Sequence, residues 1–218
     1  MNKPLLQVAL DNLTLDDALK TLENVGNVVD VIEVGTILLL SEGKKCIRKI
    51  KELYPDKIIL ADGKIADAGN IVSEMFFKEG AEITTVICCA DLPTVEGVLN
   101  ISKKFGGDTQ IELTGSWSME QAKEWKQIGV EQVVYHRSRD SQAAGVGWEP
   151  KDIDKIKQLC DMNFKVTVTG GISEADLDIF KDLPLYIIIA GRSIRDVEDP
   201  NKAALSFQKA LKEKWTNA

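Results

Sequence analysis

Two carboxylates and an ammonium fall within one short stretch, Asp62-Gly63-Lys64-Ile65-Ala66-Asp67. It follows Ile58-Ile59-Leu60-Ala61, an apolar run that reads as a buried strand, and it precedes a helical pattern. Side chains alternate along a strand, so Asp62 and Lys64 share a face. A carboxylate and an ammonium held together where a core opens into solvent can stabilise charge developing between them, or hold a metal beside a reacting carbonyl. A strand-end ion pair followed by a helix cap would use the same residues with no chemical role. The elements that carry them decide which reading holds.

Those elements alternate along the whole chain. Apolar, β-branched runs predict strands over 5–11, 29–35, 57–64, 82–89, 109–115, 132–137, 165–171 and 185–192. Helical patterns predict helices over about 14–25, 42–53, 68–78, 92–105, 118–128, 150–160, 174–182 and 200–215. Thr14 is placed to cap the first helix, with Asp16 and Asp17 in its first turn. Gly80, Gly106 and Gly129 mark stops, and Pro150 and Pro200 suit first helical turns. Residues Ser138 to Glu149 read as a longer loop. Asp62-Gly63 is a hairpin dipeptide, but the helix that follows rules a hairpin out. Eight strand-helix units without a linker predict a single-domain (β/α)8 TIM barrel over 1–218. An open doubly wound sheet is the alternative, because periodicity does not show closure.

The 218 residues are 44% hydrophobic and 28% charged, which fits a globular protein and excludes disorder. A net charge of −7 argues against nucleic acid as the main partner, though not against a small anion in a locally basic site. No apolar segment is long enough to span a bilayer and the N-terminus runs into a strand, so no membrane partner and a cytoplasmic location are expected. Cys46, Cys88, Cys89 and Cys160 lack metal-site spacing and read as reduced structural thiols, with the neighbours Cys88 and Cys89 on opposite sides. One histidine excludes a multi-histidine metal centre. The tryptophans Trp117, Trp125, Trp148 and Trp215 read as packing.

In a barrel of this kind the active site lies at the C-terminal strand ends. Those ends carry Asp11, Glu33, Asp62 with Lys64, Glu112, His136, Thr169 with Gly170-Gly171, and Gly191-Arg192. Gln7, Ala9 and Asp11 share one strand face, as do Val31 with Glu33, and Leu60 with Asp62 and Lys64. Interior carboxylates are costly unless paired with a cation, so such a ring is not what a structural rim needs. Glu33 and Asp62, on adjacent strands and offering only oxygen, suit Mg²⁺ shared with water and substrate, or else serve as salt-bridge partners. The glycine turns after strands seven and eight, with Arg192, occupy the usual barrel phosphate site, or are ordinary turn glycines. His136, with Arg139 nearby, suits proton transfer, or is a satisfied polar residue.

Asp62-x-Lys64-x-x-Asp67 resembles the signature of the orotidine 5′-monophosphate decarboxylase suprafamily. Further stretches are similar to its 3-keto-L-gulonate 6-phosphate decarboxylase family: Leu6-Gln7-Val8-Ala9-Leu10-Asp11-Asn12, Ile32-Glu33-Val34-Gly35-Thr36, Val134-Tyr135-His136-Arg137-Ser138-Arg139-Asp140, Val166-Thr167-Val168-Thr169-Gly170-Gly171 and Ile189-Ala190-Gly191-Arg192-Ser193-Ile194. The resemblance implies Mg²⁺ on Glu33 and Asp62, substrate hydroxyls on Asp11, and an enediolate stabilised by Lys64. It implies protonation in a site lined by Glu112, His136 and Arg139, with Arg192 and the glycine turns on phosphate. It further implies a phosphorylated keto-sugar acid as substrate, L-xylulose 5-phosphate as product, and a role in L-ascorbate utilisation. Asp67 would serve the neighbouring subunit of a homodimer with shared active sites.

Departures separate the neighbouring families. Orotidine decarboxylase is metal-free and has a lysine where this chain has Glu33. Hexulose-phosphate synthase shares the metal site, but Glu112, Arg139 and Thr169 look like the decarboxylase set. Gly63 is a small change inside the signature that leaves its three charges intact. A non-catalytic sugar-phosphate sensor on the same barrel would not need Lys64, Asp67 and both carboxylates together.

Overall fold

The apolar runs become eight parallel strands in a computed structural model that describes residues 2–216. They are β1 Leu5–Leu10, β2 Val31–Val34, β3 Ile58–Ile65, β4 Ile83–Ile87, β5 Asp108–Leu113, β6 Gln132–His136, β7 Lys165–Thr169 and β8 Ile187–Ala190. Each pairs with the next, and β8 returns to β1 through Leu5 opposite Ile187, so the sheet closes. Closure settles the choice between barrel and open sheet. The fold is a (β/α)8 TIM barrel.

Strand parity sorts the core into two shells. Leu6, Val8, Leu10, Ile32, Val34, Ile59 and Ala61 point outward into the large cluster under the helices. Ala9, Val31, Leu60, Ile83, Val134, Ile187 and Ile189 fill the barrel. Gln7 and Gln110 are buried among the latter, and Gln110 Nε2 donates to Thr167 Oγ1 at 3.0 Å. Beyond them, the inward residues Glu33, Asp62 and Glu112 at the C-terminal mouth are buried and acidic as well.

Helix boundaries follow local chemistry. Thr14 Oγ1 accepts from the Asp17 N–H at 3.2 Å and caps Leu15–Val25 as expected. The helix expected over 42–53 runs over Lys45–Leu53, and a further helix that the sequence reading lacks, Thr36–Glu42, precedes it. Gly43, at φ 72°, leaves the helical path between them. The loop after β6 contains a short helix, Arg139–Ala143, begun by Ser138 Oγ accepting from the Ser141 N–H at 3.1 Å. The helix expected over 174–182 is a 3₁₀ turn, Glu174–Asp176, running into Leu177–Phe180. After β8, Gly191 starts a further short helix, Arg192–Arg195, in place of the strand end expected at 191–192. No helix among the described residues is long and apolar enough to cross a membrane.

The four cysteines are free, with Cys88 buried and its neighbour Cys89 exposed. Trp117 meets Tyr135 edge-on, Trp148 meets Phe180 edge-on, and Trp125 is buried. Trp215 is fully buried, and its indole N–H donates to the Leu183 carbonyl at 2.9 Å. The last helix, Pro200–Thr216, is pinned to the barrel by that contact. Trp215→Ala leaves a ring-sized void and an orphaned carbonyl, so stability should drop by about 3–5 kcal/mol in denaturant titration.

Candidate functional site

The site begins with an irregularity in β3. Ala61 pairs with Thr84 and Ile65 with Val86, so four residue steps on β3 face only two on β4. The chain bulges at Asp62-Gly63-Lys64. Lys64 sits at φ 43°, a left-handed conformation that costs a lysine of order 1–3 kcal/mol. A Cβ on Gly63 would meet the Phe76 ring, so glycine lets that ring pack directly against the bulge. The bulge turns Asp62 and Lys64 into the barrel mouth.

There the charges form a chain. Lys64 Nζ donates to Asp62 Oδ2 at 2.5 Å and to Glu112 Oε2 at 2.7 Å. Glu112 Oε1 lies 2.6 Å from His136 Nδ1. A carboxylate only accepts, so that nitrogen carries the proton. Asp62 is further held by Thr85 Oγ1 on Oδ1 and Thr36 Oγ1 on Oδ2, both at 2.7 Å. Burial opposes ionisation of Asp62, yet the Lys64 charge and the hydrogen bonds from Lys64, Thr36 and Thr85 outweigh it and hold the carboxyl below its usual range. Burial likewise works against the charged form of Lys64, but Asp62 and Glu112 overcome it and push the ammonium above its ordinary value. Lys64 is therefore a fixed cation at neutral pH.

Glu33 has the opposite environment. Burial first, then the nearby charges of Asp62 and Asp11, push its carboxyl well above the ordinary range. Gln7 Nε2 donates to Oε2 at 2.6 Å, while Oε1 has no protein hydrogen bond among the described residues. A buried carboxylate repelled by its neighbours calls for a cation. Glu33 and Asp62 offer oxygen alone, and the described residues gather no group of three acidic, histidine or cysteine ligands. That set fits Mg²⁺, which takes one or two carboxylates and completes its shell with water and substrate oxygens.

Asp11, Glu33, Asp62, Lys64, Glu112, His136, Arg139 and Thr169 line one cavity of about 220 Å³. Arg139 Nη2 reaches Asp11 Oδ2 at 3.2 Å across the mouth. An adjoining recess of about 70 Å³ is walled by Thr169, Gly170, Gly171, Gly191 and Arg192. Gly170 and Gly171 adopt φ 120° and 65°, and a Cβ on Gly170 would strike the Arg137 carbonyl. Arg192 Nη2 donates to Gln142 Oε1 at 2.5 Å. Asp67 alone lies apart. It is exposed, in a separate surface groove with residues 68–71, Pro93 and Thr94.

Four further residues at the site carry no chemical signature in the sequence. Gln7, Thr36 and Thr85 hold the carboxylates, and Gln142 holds Arg192. Parity is the signal that could find Thr85, since it is a polar residue on the inward face that β4 shares with Ile83, and β4 is the one strand without a candidate. Gln142 has no such signal, because the short helix that presents it reads as loop in the sequence.

Comparison with known proteins agrees with this geometry. Residues 4–207 match the family described as Orotidine 5′-phosphate decarboxylase / HUMPS family. The 3-keto-L-gulonate-6-phosphate decarboxylase UlaD of Salmonella paratyphi B is 56% identical over 215 residues, spanning 99% of this chain and 100% of that protein. A ligand-bound crystal structure of KGPDC from Streptococcus mutans superposes with a TM-score of 0.96 at 41% identity, covering 98% of this chain and 100% of that one. The 3-hexulose-6-phosphate synthase from Salmonella typhimurium superposes with a TM-score of 0.90 at 31% identity, covering 96% and 99%. The barrel, its ring of strand-end charges and these full-length likenesses agree: the chain belongs to the orotidine 5′-phosphate decarboxylase / HUMPS family.

Proposed function

We propose that the protein is a Mg²⁺-dependent carboxy-lyase that converts 3-keto-L-gulonate 6-phosphate into L-xylulose 5-phosphate and CO₂. It would act in L-ascorbate utilisation, as a single-domain cytoplasmic enzyme. The observation that carries this reading is the Lys64 ammonium clamped between Asp62 and Glu112 at the barrel mouth, beside Glu33. The 56% identical relative bearing the decarboxylase name supports the substrate.

The chemistry follows from the charges. In a β-keto acid the electron pair of the breaking C–C bond moves onto the neighbouring carbonyl and leaves an enediolate as CO₂ departs. Glu33 and Asp62 would hold Mg²⁺, which when bound would supply positive charge to offset the developing enediolate. Lys64 adds a second fixed positive charge that needs no rearrangement as the negative charge grows. Asp11 accepts hydrogen bonds from substrate hydroxyls and fixes the sugar chain. His136, oriented by Glu112, and Arg139 line the wall from which a proton returns to the carbon that lost CO₂. The recess at Thr169, Gly170, Gly171, Gly191 and Arg192 takes the phosphate, with the guanidinium as a forked donor. Asp67, exposed and outside the cavity, would be supplied to a second copy's site in a homodimer with shared active sites.

Arg192→Ala removes that fork from a part of the substrate that does not react. KM should rise by roughly ten- to hundredfold with a smaller change in kcat, measured by steady-state CO₂ release.

Addition of formaldehyde to ribulose 5-phosphate is the second reading, favoured by the likeness to the hexulose-phosphate synthase and by the enediolate common to both reactions. Parallel assays of CO₂ release from 3-keto-L-gulonate 6-phosphate and of formaldehyde consumption with ribulose 5-phosphate separate the two. The decarboxylase reading requires the first kcat/KM to be the larger. Faster formaldehyde consumption would reassign the enzyme, and phosphate-ester binding with neither turnover would make it a sensor.

A further inference from the structure

Thr85 sits where the β3 bulge leaves Lys64 without a ladder partner on β4, since pairing lapses between Ala61–Thr84 and Ile65–Val86. Its side chain fills the gap. The Lys64 backbone N–H donates to Thr85 Oγ1 at 2.9 Å, and the same hydroxyl lies 2.7 Å from Asp62 Oδ1. A hydroxyl has one proton and two lone pairs, so it can accept from Lys64 while donating to Asp62. Thr85 is 2% exposed and forms part of the cavity wall beside Asp62 and Lys64. Its neighbour Thr84 faces the other way and donates to the Ala61 carbonyl at 3.0 Å.

This one atom therefore ties the backbone of a lysine in a left-handed conformation to the carboxylate that its own ammonium grips. Packing does not require it, because valine would fill the same β-branched volume. Without the hydroxyl, the part-buried Lys64 N–H loses its partner, and no ladder bond from β4 at Lys64 itself holds φ at 43°. The side chain then has an extended backbone available, which would carry Nζ away from Glu112.

We propose that Thr85 is a positioning residue for the reaction, its hydroxyl holding the bulged Lys64 backbone so that Nζ stays between Asp62 and Glu112. The kinetic part of this inference rests on the decarboxylase reading, whereas the structural part does not.

The test compares full-length wild type with Thr85→Val, Thr85→Ala and Thr85→Ser at saturating Mg²⁺. Thr85→Val and Thr85→Ala should lower kcat for CO₂ release by roughly ten- to hundredfold, with KM within about threefold of wild type. Thr85→Ser, which restores the hydroxyl, should return kcat to within about threefold of wild type. A merely structural role would lower the melting temperature without this split and without rescue by serine. If Thr85→Val does not fold, Thr85→Ala carries the comparison. Crystals of the hydroxyl-free variant should show Lys64 outside the left-handed region and Nζ no longer bridging the two carboxylates. An unchanged kcat, a serine variant as slow as the valine one, or an unmoved Lys64 would each overturn the proposal. If wild type releases no CO₂, the decarboxylase reading fails and the crystal comparison still decides the role of Thr85.

Discussion

Replacing Lys64 by alanine is expected to lower kcat for decarboxylation by roughly a hundred- to thousandfold, the range for removing one preorganised charge stabiliser. Structurally, the ammonium is the link in the Asp62-Lys64-Glu112 bridge, and its loss leaves two buried carboxylates facing the same cavity. Neither can then stabilise an anion, and each raises the cost of forming one. Lys64→Arg should not restore the rate, because a planar guanidinium cannot take the place of a compact ammonium between two fixed oxygens. Single-turnover CO₂ release measures the effect apart from product release. A Lys64→Ala enzyme within about threefold of wild type would remove the ammonium from the mechanism.

The second large effect is expected at Glu33, and it has two signs. Glu33→Gln should weaken Mg²⁺ binding by at least about a hundredfold in calorimetric titration, since one of the two proposed carboxylate ligands becomes a neutral amide. Metal-free stability should move the other way. The folded state holds the Glu33 carboxyl well above its ordinary value of 4.5, so the native protein keeps this proton after the unfolded chain has lost it. Stability from this group is therefore lost as pH rises above about 4.5 toward the folded value. Glutamine cannot titrate, so metal-free Glu33→Gln should melt higher than metal-free wild type at neutral pH. Adding Mg²⁺ should raise the melting temperature of wild type and leave the variant unmoved. Equal Mg²⁺-induced shifts in both proteins would place the cation elsewhere.

Much of the barrel is legible in the sequence because the signals are local and periodic. Apolar, β-branched runs locate all eight strands, and Thr14, Gly106 and Pro150 mark helix ends that the structure shares. Parity also puts Gln7, Ala9, Asp11, Glu33 and Asp62 at the barrel interior, since the pleat has a period of two. It places Lys64 there for an incomplete reason. Alternation aims Lys64 inward only on a regular strand, whereas the structure does so through a bulge and a positive φ.

What stays illegible depends on contacts between distant segments. Glu112 and His136 are 24 positions apart, and no local pattern says that their side chains meet at 2.6 Å. Thr85 and Thr36 look like ordinary β-branched residues until the strands pair. Closure itself depends on Leu5 meeting Ile187. Asp67 marks a different boundary, because one chain displays it exposed in its own groove, and its proposed role belongs to an assembly of two.

If the reaction runs as proposed, CO₂ leaves an enediolate that this site then protonates. Turnover of 3-keto-L-gulonate 6-phosphate in deuterium oxide with Mg²⁺, followed by NMR of the product, tests this most directly. The predicted result is one equivalent of CO₂ and L-xylulose 5-phosphate carrying a single deuterium on the hydroxymethyl carbon next to the ketone. Product without deuterium at that carbon, or consumption of substrate without CO₂, would contradict it.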